Sequence, residues 1–180
     1  MTDTAATTAT TWTIDPSHSV VEFSVKHMVF ATAKGRFSDF SGTITLDSEN
    51  VANSSVHVEI GAASIDTRDA KRDEHLKSAD FFDVEKFPTL TFTSTKVEPK
   101  GDDLRVEGEL TMHGVTRPVV LEAEFNGKGV NPWGQQVISY SAHTRVNRKD
   151  FGLNWNAALE SGGVLVSDDV KISLEIEANS

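Results

Sequence analysis

Histidines, carboxylates and arginines are the side chains of this 180-residue chain that could do chemistry, and their spacing limits what that chemistry is. The histidines form neither an HExxH motif nor a pair at i, i+4, which are the patterns that bring metal ligands together on a helix. We therefore do not expect a preformed metal cluster. The six histidines are His18, His27, His57, His75, His113 and His143.

Motifs for catalysis are also missing. The Ser-Gly-Gly run at 161–163 lacks the frame of a G-x-S-x-G elbow, and no glycine-rich phosphate loop opens a helix. The nearest carboxylate pairs, at 102–103 and 168–169, fall in predicted turns, where aspartate serves the backbone. The sequence therefore predicts a protein that is not an enzyme. One alternative stays open, a lipid-modifying site assembled from distant strands with His27, Tyr140 and an arginine.

Composition and charge limit the classes of partner, the kinds of site and the location that the sequence predicts. The formal net charge is −10 and no basic stripe occurs, so we expect no nucleic-acid partner. The absence of cysteine excludes disulfides, thiolate metal sites and a cysteine nucleophile. Neither a signal peptide nor a run of about 18 apolar residues is found, which predicts a cytoplasmic protein without stable membrane insertion. We expect a disordered tail over 1–10 and a single domain over 11–180.

Alternation of apolar and polar residues predicts the elements that must position these side chains. Gly35 marks a turn or bulge, and 126–134 is a predicted loop. Besides a short strand at 12–14, the alternation predicts eight strands, at 19–29, 40–46, 56–60, 89–97, 104–112, 116–125, 137–146 and 167–178.

One long segment, 66–92, does not follow strand periodicity at its start. Asp66 or Thr67 can cap a helix over 68–78, which is thin in apolar residues and so mostly solvated. Three phenylalanines and then Pro88, which ends any helix, follow it. The helix therefore delivers an aromatic cluster to the mouth of a sheet, either as a plug or as the lid of a pocket.

Antiparallel strands with one dry face must close into a barrel or stack as a sandwich. Ten residues extend about 33 Å, which favours a tilted barrel. An eight-stranded barrel is either filled by side chains or holds one slim ligand. Gly42 and Gly108 lie in the dry phase and leave room inside, so we favour a cavity. The predicted fold class is all-β, an antiparallel barrel of about eight strands with one short helical insertion.

Four pieces of the sequence together resemble the YceI family, over residues 11–178. They are WTIDPSHS at 12–19, RDEHL through DFF at 72–82 with FP at 87–88, LTMHGVT at 110–116, and FG at 151–152. The resemblance implies a lipocalin-like barrel whose hydrophobic tunnel takes a long isoprenoid or other amphiphilic lipid. It also implies a homodimer, as in several members. Many relatives are periplasmic, and this sequence departs from them in lacking a signal peptide.

Aromatic and aliphatic residues from the dry phase of the strands, with Leu76, Phe81 and Phe82 from the helical insertion at a barrel end, are the candidate tunnel lining; a packed core is the alternative. The candidates are Phe23, Val25, Phe40, Leu76, Phe81, Phe82, Phe92, Met112 and Tyr140.

Two polar residues are candidates for the ligand head group. His27 shares the phase of the apolar residues of its strand and should point inward, although a backbone carbonyl is an alternative partner. Arg72 is expected to turn toward the mouth and meet an anionic or phenolic group, although a solvated, salt-bridged surface is an alternative. The rival arginines are Arg36, Arg145 and Arg148.

The predicted function is non-covalent binding, transport or sequestration of a long apolar amphiphile, such as a polyisoprenoid, an isoprenoid quinone or a fatty-acid-like lipid. No cofactor is expected beyond such a bound lipid. The alternatives are a packed barrel that acts as a structural or interaction module, and a lipid-modifying enzyme.

Overall fold

The computed structural model describes residues 9–180. Within them the chain forms eleven strands: β1 (Ala9–Ile14), β2 (Val20–His27), β3 (Ala31–Phe37), β4 (Phe40–Asp47), β5 (Ser55–Gly61), β6 (Ile65–Asp66), β7 (Thr89–Lys100), β8 (Asp103–Met112), β9 (Val115–Val130), β10 (Gln136–Asn147) and β11 (Val166–Asn179). One α-helix, α1 (Ala70–Lys77), lies between β6 and β7, and short 3-10 turns occupy Pro16–His18, Val51–Asn53, Ala62–Ser64 and Arg148–Phe151.

Eight of the strands close into an antiparallel barrel in the order β1-β4-β5-β7-β8-β9-β10-β11. The ring closes where Thr13 and Ile14 of β1 pair with Asn179 and Ala178 of β11. Farther along, β11 pairs instead with β2, which carries β3 and the two-residue β6 beside it. The predicted fold class is therefore confirmed, with β2, β3 and β6 as an extension of the sheet.

The strand β3 was not predicted, and Gly35, expected in a turn or bulge, lies inside it. Its inward residues before Phe37 are only Ala31, Ala33 and Gly35, so the segment lacks an apolar alternation strong enough to indicate a strand. Gly35 is buried, and a Cβ atom there would lie 2.4 Å from Cζ of Phe23. Glycine is thus required because the Phe23 ring packs directly over the strand.

Two predicted boundaries are wrong because strand pairing overrides local turn preference. The segment 126–134, predicted as a loop, continues β9 as far as Val130, where it pairs with Gln136 of β10. Likewise β7 runs through Pro99 to Lys100, whose register partner is Asp103. At these two positions the hydrogen-bond ladder with the neighbouring strand therefore outweighs the turn preference of glycine and proline.

The N-terminal boundary also differs from the expectation. Strand β1 begins at Ala9, which is paired with Asp47, so the last two residues of the predicted tail lie in the barrel. The rest of that tail, 1–8, lies outside the described residues.

Helix α1 confirms the predicted helical insertion but not its cap. Asp69, rather than Asp66 or Thr67, is the N-cap, and its carboxylate accepts a hydrogen bond from the Arg72 backbone N–H. The Thr67 N–H instead donates to Asp73 Oδ1 at 2.9 Å. No helix among the described residues is long and apolar enough to cross a membrane.

Two ends of the barrel are distinguished below. The helix end carries α1, the β2–β3 turn at 28–30, the β8–β9 turn at 113–114 and the segment 152–165. The opposite end carries the β7–β8 turn at 101–102 and the β9–β10 turn at 131–135.

Candidate ligand-binding cavity

A cavity of about 240 Å³ runs inside the barrel. On β8 its wall includes Leu104 and Met112, which are eight residues apart and so about 26 Å apart along the strand. The cavity therefore extends along most of the barrel. Its lining is almost entirely aliphatic and aromatic, and the charged side chains that reach it are Glu22 and Arg148. An apolar cavity of about 150 Å³ is already large enough to stay dry and hold a benzene-sized molecule.

Nine of the eleven residues predicted to bind a ligand line this cavity, although the structure does not test whether they contact one. They are Phe23, Val25, Phe40, Leu76, Phe81, Phe82, Phe92, Met112 and Tyr140. They come from five strands and from the segment around α1, so only the tertiary fold brings them together. Burial raises the pKa of the Tyr140 phenol, with the Asp103 carboxylate adding to the effect.

The reason given from sequence for the cavity was wrong. A Cβ atom at Gly108 would lie 2.5 Å from Cζ of Phe92, and one at Gly42 would lie 2.9 Å from Cδ1 of Ile14. The glycines therefore admit neighbouring side chains instead of leaving empty space. The cavity exists because the inward side chains together do not fill the volume of the barrel. This total volume cannot be inferred from any single residue.

Aromatic rings close the helix end of the cavity. The Phe82 ring meets Phe37 edge-on with centroids 5.9 Å apart, and Phe81 packs at 5.3 Å from Trp155. The His75 ring of α1 completes the cluster, with its centroid 4.8 Å from Trp155. These contacts join α1 to the segment 152–165 and form the lid that the sequence indicated as one of two possibilities.

A second cavity, of about 180 Å³, adjoins the first at this end. Phe23, Val25, Leu76 and Phe81 contribute to the walls of both. The wall of the second cavity is also mainly apolar, but charged and polar residues border it. We call these the mouth residues: Lys26, His27, Lys34, Thr67, Arg72 and His75.

Arg72 is one of the mouth residues, and its guanidinium is held in place; its predicted contact with a head group stays a prediction. Nε donates to Thr67 Oγ1 at 2.8 Å and Nη2 donates to the Thr67 carbonyl at 2.7 Å. Thr67 in turn donates its hydroxyl to Asp73 Oδ1. A carboxylate or phosphate is recognised best by a fixed guanidinium fork, so this geometry suits an anionic or phenolic group.

His27 lies at the mouth and not in the main cavity, so the expectation that it points into the barrel interior is only partly met. Strand β2 reaches the helix end at this residue, where its inward phase opens onto the mouth. Its predicted contact with a head group stays a prediction.

The rival arginines have other roles. Arg148 is buried, 4% exposed, and donates to the carbonyls of Ser167 and Trp155, each at 2.9 Å, so it fastens the segment 152–165 to β11. Burial lowers the pKa of this guanidinium. Arg36 is exposed and lies 3.9 Å from Asp66, and Arg145 is exposed on β10.

Sequence reasoning missed the lysines of the mouth and the part played by Trp155. Lys26 alternates with the apolar residues of its predicted strand and was assigned to the solvent face, and Lys34 lies in β3, which was not predicted. Trp155 lies in an irregular segment without periodicity, so no pattern connected it with α1. The only available signal was a large aromatic residue that lay outside every predicted strand.

A group of potential cation ligands lies away from this site, near the turn between β1 and β2. Ligand atoms of Asp15, His18 and Glu177 lie within 4.8 Å of one another. Asp15 Oδ2 and His18 Nδ1 are hydrogen-bonded at 2.7 Å, which accounts for their proximity within the turn. The expectation that the chain has no preformed metal cluster stays a prediction.

A closed eight-stranded antiparallel barrel with an apolar interior belongs to the class that includes the lipocalins. Comparison with known proteins gives the family. Residues 12–178 match the YceI-like domain. Protein YceI of Escherichia coli O17:K52:H18 is 42% identical over 158 residues, covering 88% of this chain and 81% of that protein. The chain therefore belongs to the YceI-like family.

Solved structures agree with this assignment. The Campylobacter jejuni YceI protein superposes with a TM-score of 0.74 at 32% identity, covering 86% of this chain and 89% of that one. A polyisoprenoid-binding domain from Saccharophagus degradans has a TM-score of 0.66 at 15% identity, covering 94% and 98% of the two chains. At that identity the second likeness concerns the fold alone.

Proposed function

We propose that this protein binds a long apolar amphiphile non-covalently inside the barrel. The observation that carries the proposal is the cavity of about 240 Å³, whose wall is apolar along most of the barrel, in a chain of the YceI-like family. Moving the ligand's apolar surface out of water stabilises the complex by about 25 cal/mol per Å². The description of the Saccharophagus domain as polyisoprenoid-binding supports an isoprenoid as the ligand class.

The charged residues that border the mouth orient the ligand in this proposal. Its chain occupies the main cavity, and its head group lies at the mouth, where Arg72 is the cationic donor and Lys26 and Lys34 lie nearby. An anionic or phenolic head group, as in a prenyl phosphate, a fatty acid or a reduced quinone, fits these donors. Leu76 and Phe81 line both cavities and so mark the passage between them.

Native mass spectrometry of freshly purified protein, followed by organic extraction, tests the proposal. We expect a stoichiometric amphiphile, and delipidated protein to take up an added isoprenoid with a rise in melting temperature. A site saturated at about 100 times its dissociation constant stabilises by about 2.7 kcal/mol. Absence of any lipid, together with no uptake, would favour the packed barrel acting as an interaction module.

A cavity-filling variant makes the test specific for the interior. Ala142 lines the main cavity, so Ala142→Phe should abolish uptake, whereas His143→Phe, on the outward face of the same strand, should not. Both proteins should keep the barrel's circular dichroism spectrum. Val119→Phe, from the wall formed by β9, provides a second filling variant should the first fail to fold.

No observation favours the enzymatic alternative. His27 and Tyr140, two of the groups it required, line different cavities. One structural neighbour, the Saccharophagus domain, is described as a polyisoprenoid-binding domain. The cytoplasmic location and the homodimer stay predictions, the second open to analytical ultracentrifugation.

A further inference from the structure

The turn that joins β2 to β3 exposes three large apolar side chains. Met28 is 39% exposed, Val29 64% and Phe30 80%. Val164, 44% exposed, lies on the neighbouring segment, where a Cβ atom at Gly163 would lie 3.0 Å from Cγ2 of Val29. These four residues, which we call the apolar tip, project at the helix end of the barrel.

Backbone conformation makes the apolar tip unusual. Met28 has φ 53° and Val29 has φ 70°, in the left-handed region. Hairpin turns of this kind favour Asn and Gly, and a β-branched residue with positive φ is an outlier. Apolar residues therefore occupy positions that local sterics disfavour, and the exposed turn provides no burial to compensate. Strain of this kind points to a functional role for the side chains.

The apolar tip lies beside the mouth. His27 and Lys26, the last two residues of β2, border the second cavity, and Met28 follows them directly. Leu165, next to Val164, borders the same cavity, and its carbonyl accepts a hydrogen bond from the Met28 N–H at 2.9 Å. Whatever contacts the apolar tip is therefore brought against the opening of the barrel.

Two lysines lie on the strands next to the apolar tip. Lys26 precedes Met28 by two residues, about 7 Å along the strand, and is exposed. Lys34 is also exposed and lies 3.8 Å from Glu22. The acidic residues on the neighbouring segments are Glu22, which pairs with Lys34, and Glu160, four residues before Val164. This order, apolar residues and then lysines, matches the layers of a bilayer surface. The apolar tip would contact the acyl chains, and the lysines behind it would contact the anionic head groups that lie above them.

We propose that the apolar tip contacts a phospholipid bilayer bearing anionic lipids and brings the mouth against its surface. A second copy of the chain is a poorer occupant, because a convex turn of a few residues cannot bury the roughly 800 Å² per partner of a standard interface. Contact is peripheral, and an amphiphile then passes between bilayer and barrel without crossing water. The inference deepens the proposed function by giving the route of its ligand.

Flotation with vesicles tests the inference on the full chain. Vesicles of phosphatidylcholine, with and without phosphatidylglycerol, are mixed with the wild type and with the triple variant Met28→Asn, Val29→Gly and Phe30→Ser. We expect the wild type to float with the anionic vesicles and the variant to bind at least about tenfold more weakly. Its melting temperature should not fall, since Asn and Gly suit the positive φ. Lys26→Gln should weaken binding to anionic vesicles alone, by about fivefold.

The opposite end of the barrel offers a matched control. Trp133 is 80% exposed and Val130 67%, at and beside the β9–β10 turn. The double variant Val130→Thr and Trp133→Ser removes comparable apolar surface and should float as the wild type does. Equal flotation of wild type and triple variant, or no flotation of the wild type, overturns the inference. A change in sedimentation of the triple variant without a change in flotation would indicate self-association and overturn it equally.

Uptake of an isoprenoid supplied from detergent separates this inference from the proposed function. The triple variant should load from detergent as fully as the wild type but more slowly from vesicles. A wild type that floats but takes up no amphiphile contradicts the proposed function and leaves the bilayer contact standing.

Discussion

Asp15 and His18 form a charge-assisted hydrogen bond in the turn between β1 and β2. Oδ2 of Asp15 lies 2.7 Å from His18 Nδ1, and Oδ1 accepts from the Ser17 hydroxyl at 2.6 Å. The Ser17 hydrogen bond, followed by that of His18, lowers the pKa of Asp15 to about 2. Asp15 raises the pKa of His18, with Glu177 as a lesser contributor. The residues of this motif thus hold a turn at the seam of the barrel.

Both pKa shifts predict how this pair contributes to stability as pH changes. The Asp15 contribution is present above the ordinary pKa of 3.8 and is lost as pH falls toward 2. The His18 contribution is present below the ordinary pKa of 6.5 and is lost as pH rises through the raised value. Asp15→Asn should therefore lower the His18 pKa, as measured by NMR titration of the imidazole. Glu177→Gln, whose carboxylate is 4.0 Å away, should lower it less; an equal effect of the two variants would contradict this assignment.

At the scale of elements, α1 depends on its caps and on the segment that follows. None of its eight residues is buried, so packing of an apolar face contributes little. The Phe82 N–H donates to the Leu76 carbonyl at 2.9 Å, which brings the phenylalanines back beneath the helix. The lid is therefore a short helix held by polar contacts above an aromatic cluster.

Removing the N-cap should loosen this lid. Asp69→Ala leaves the Arg72 N–H without its acceptor and should cost about 0.5–2 kcal/mol of helix stability. Hydrogen exchange of the α1 amides should accelerate, while amides of β10 and β11 keep their protection. Lys71→Ala, an exposed change on the same helix that preserves the cap, is the control. Unchanged exchange in the Asp69 variant would show that the aromatic cluster alone holds the lid.

For the molecule as a whole, closure of the barrel depends on β1. This strand has five register pairs with β4 and two with β11, so it bridges the first and last parts of the chain. Trp12 and Ile14, each 3% exposed, fill the seam between them. Closure covers the edges of β4 and β11 at the seam, on which other chains could otherwise pair.

Shortening a buried side chain in the seam formed by β1 should therefore destabilise the fold. Trp12→Ala removes a buried aromatic side chain and should reduce the free energy of unfolding by about 3–5 kcal/mol. Urea denaturation measures the loss, and Thr11→Ala, at an exposed position of the same strand, should change it little. Trp12 does not line the main cavity, so ligand capacity at saturation should be kept. A loss below about 1 kcal/mol would mean that the ring is closed mainly by other contacts.

The sequence by itself determined which face of each strand is dry. Period-two alternation is a local property, since successive side chains of a strand point to opposite sides. With strand length it sufficed for the antiparallel barrel and for the cavity-wall residues that lie on strands, from Phe23 to Tyr140. The break in alternation over 66–92 indicated the helical insertion. The four motifs at 12–19, 72–88, 110–116 and 151–152 together indicated the family, and the first of them holds a turn that the fold requires.

Only the tertiary structure decided how those faces meet. Alternation does not name a partner strand, so β3 was missed and β9 was cut short where the ladder with β10 carries it on. The size of the cavity is the difference between the volume of the barrel and the volume of its inward side chains. A single glycine therefore does not predict a cavity: the space beside Gly108 is filled by the Phe92 ring. The mouth joins Lys26, Arg72 and Trp155, distant in sequence, because the barrel's closure brings their segments to one end.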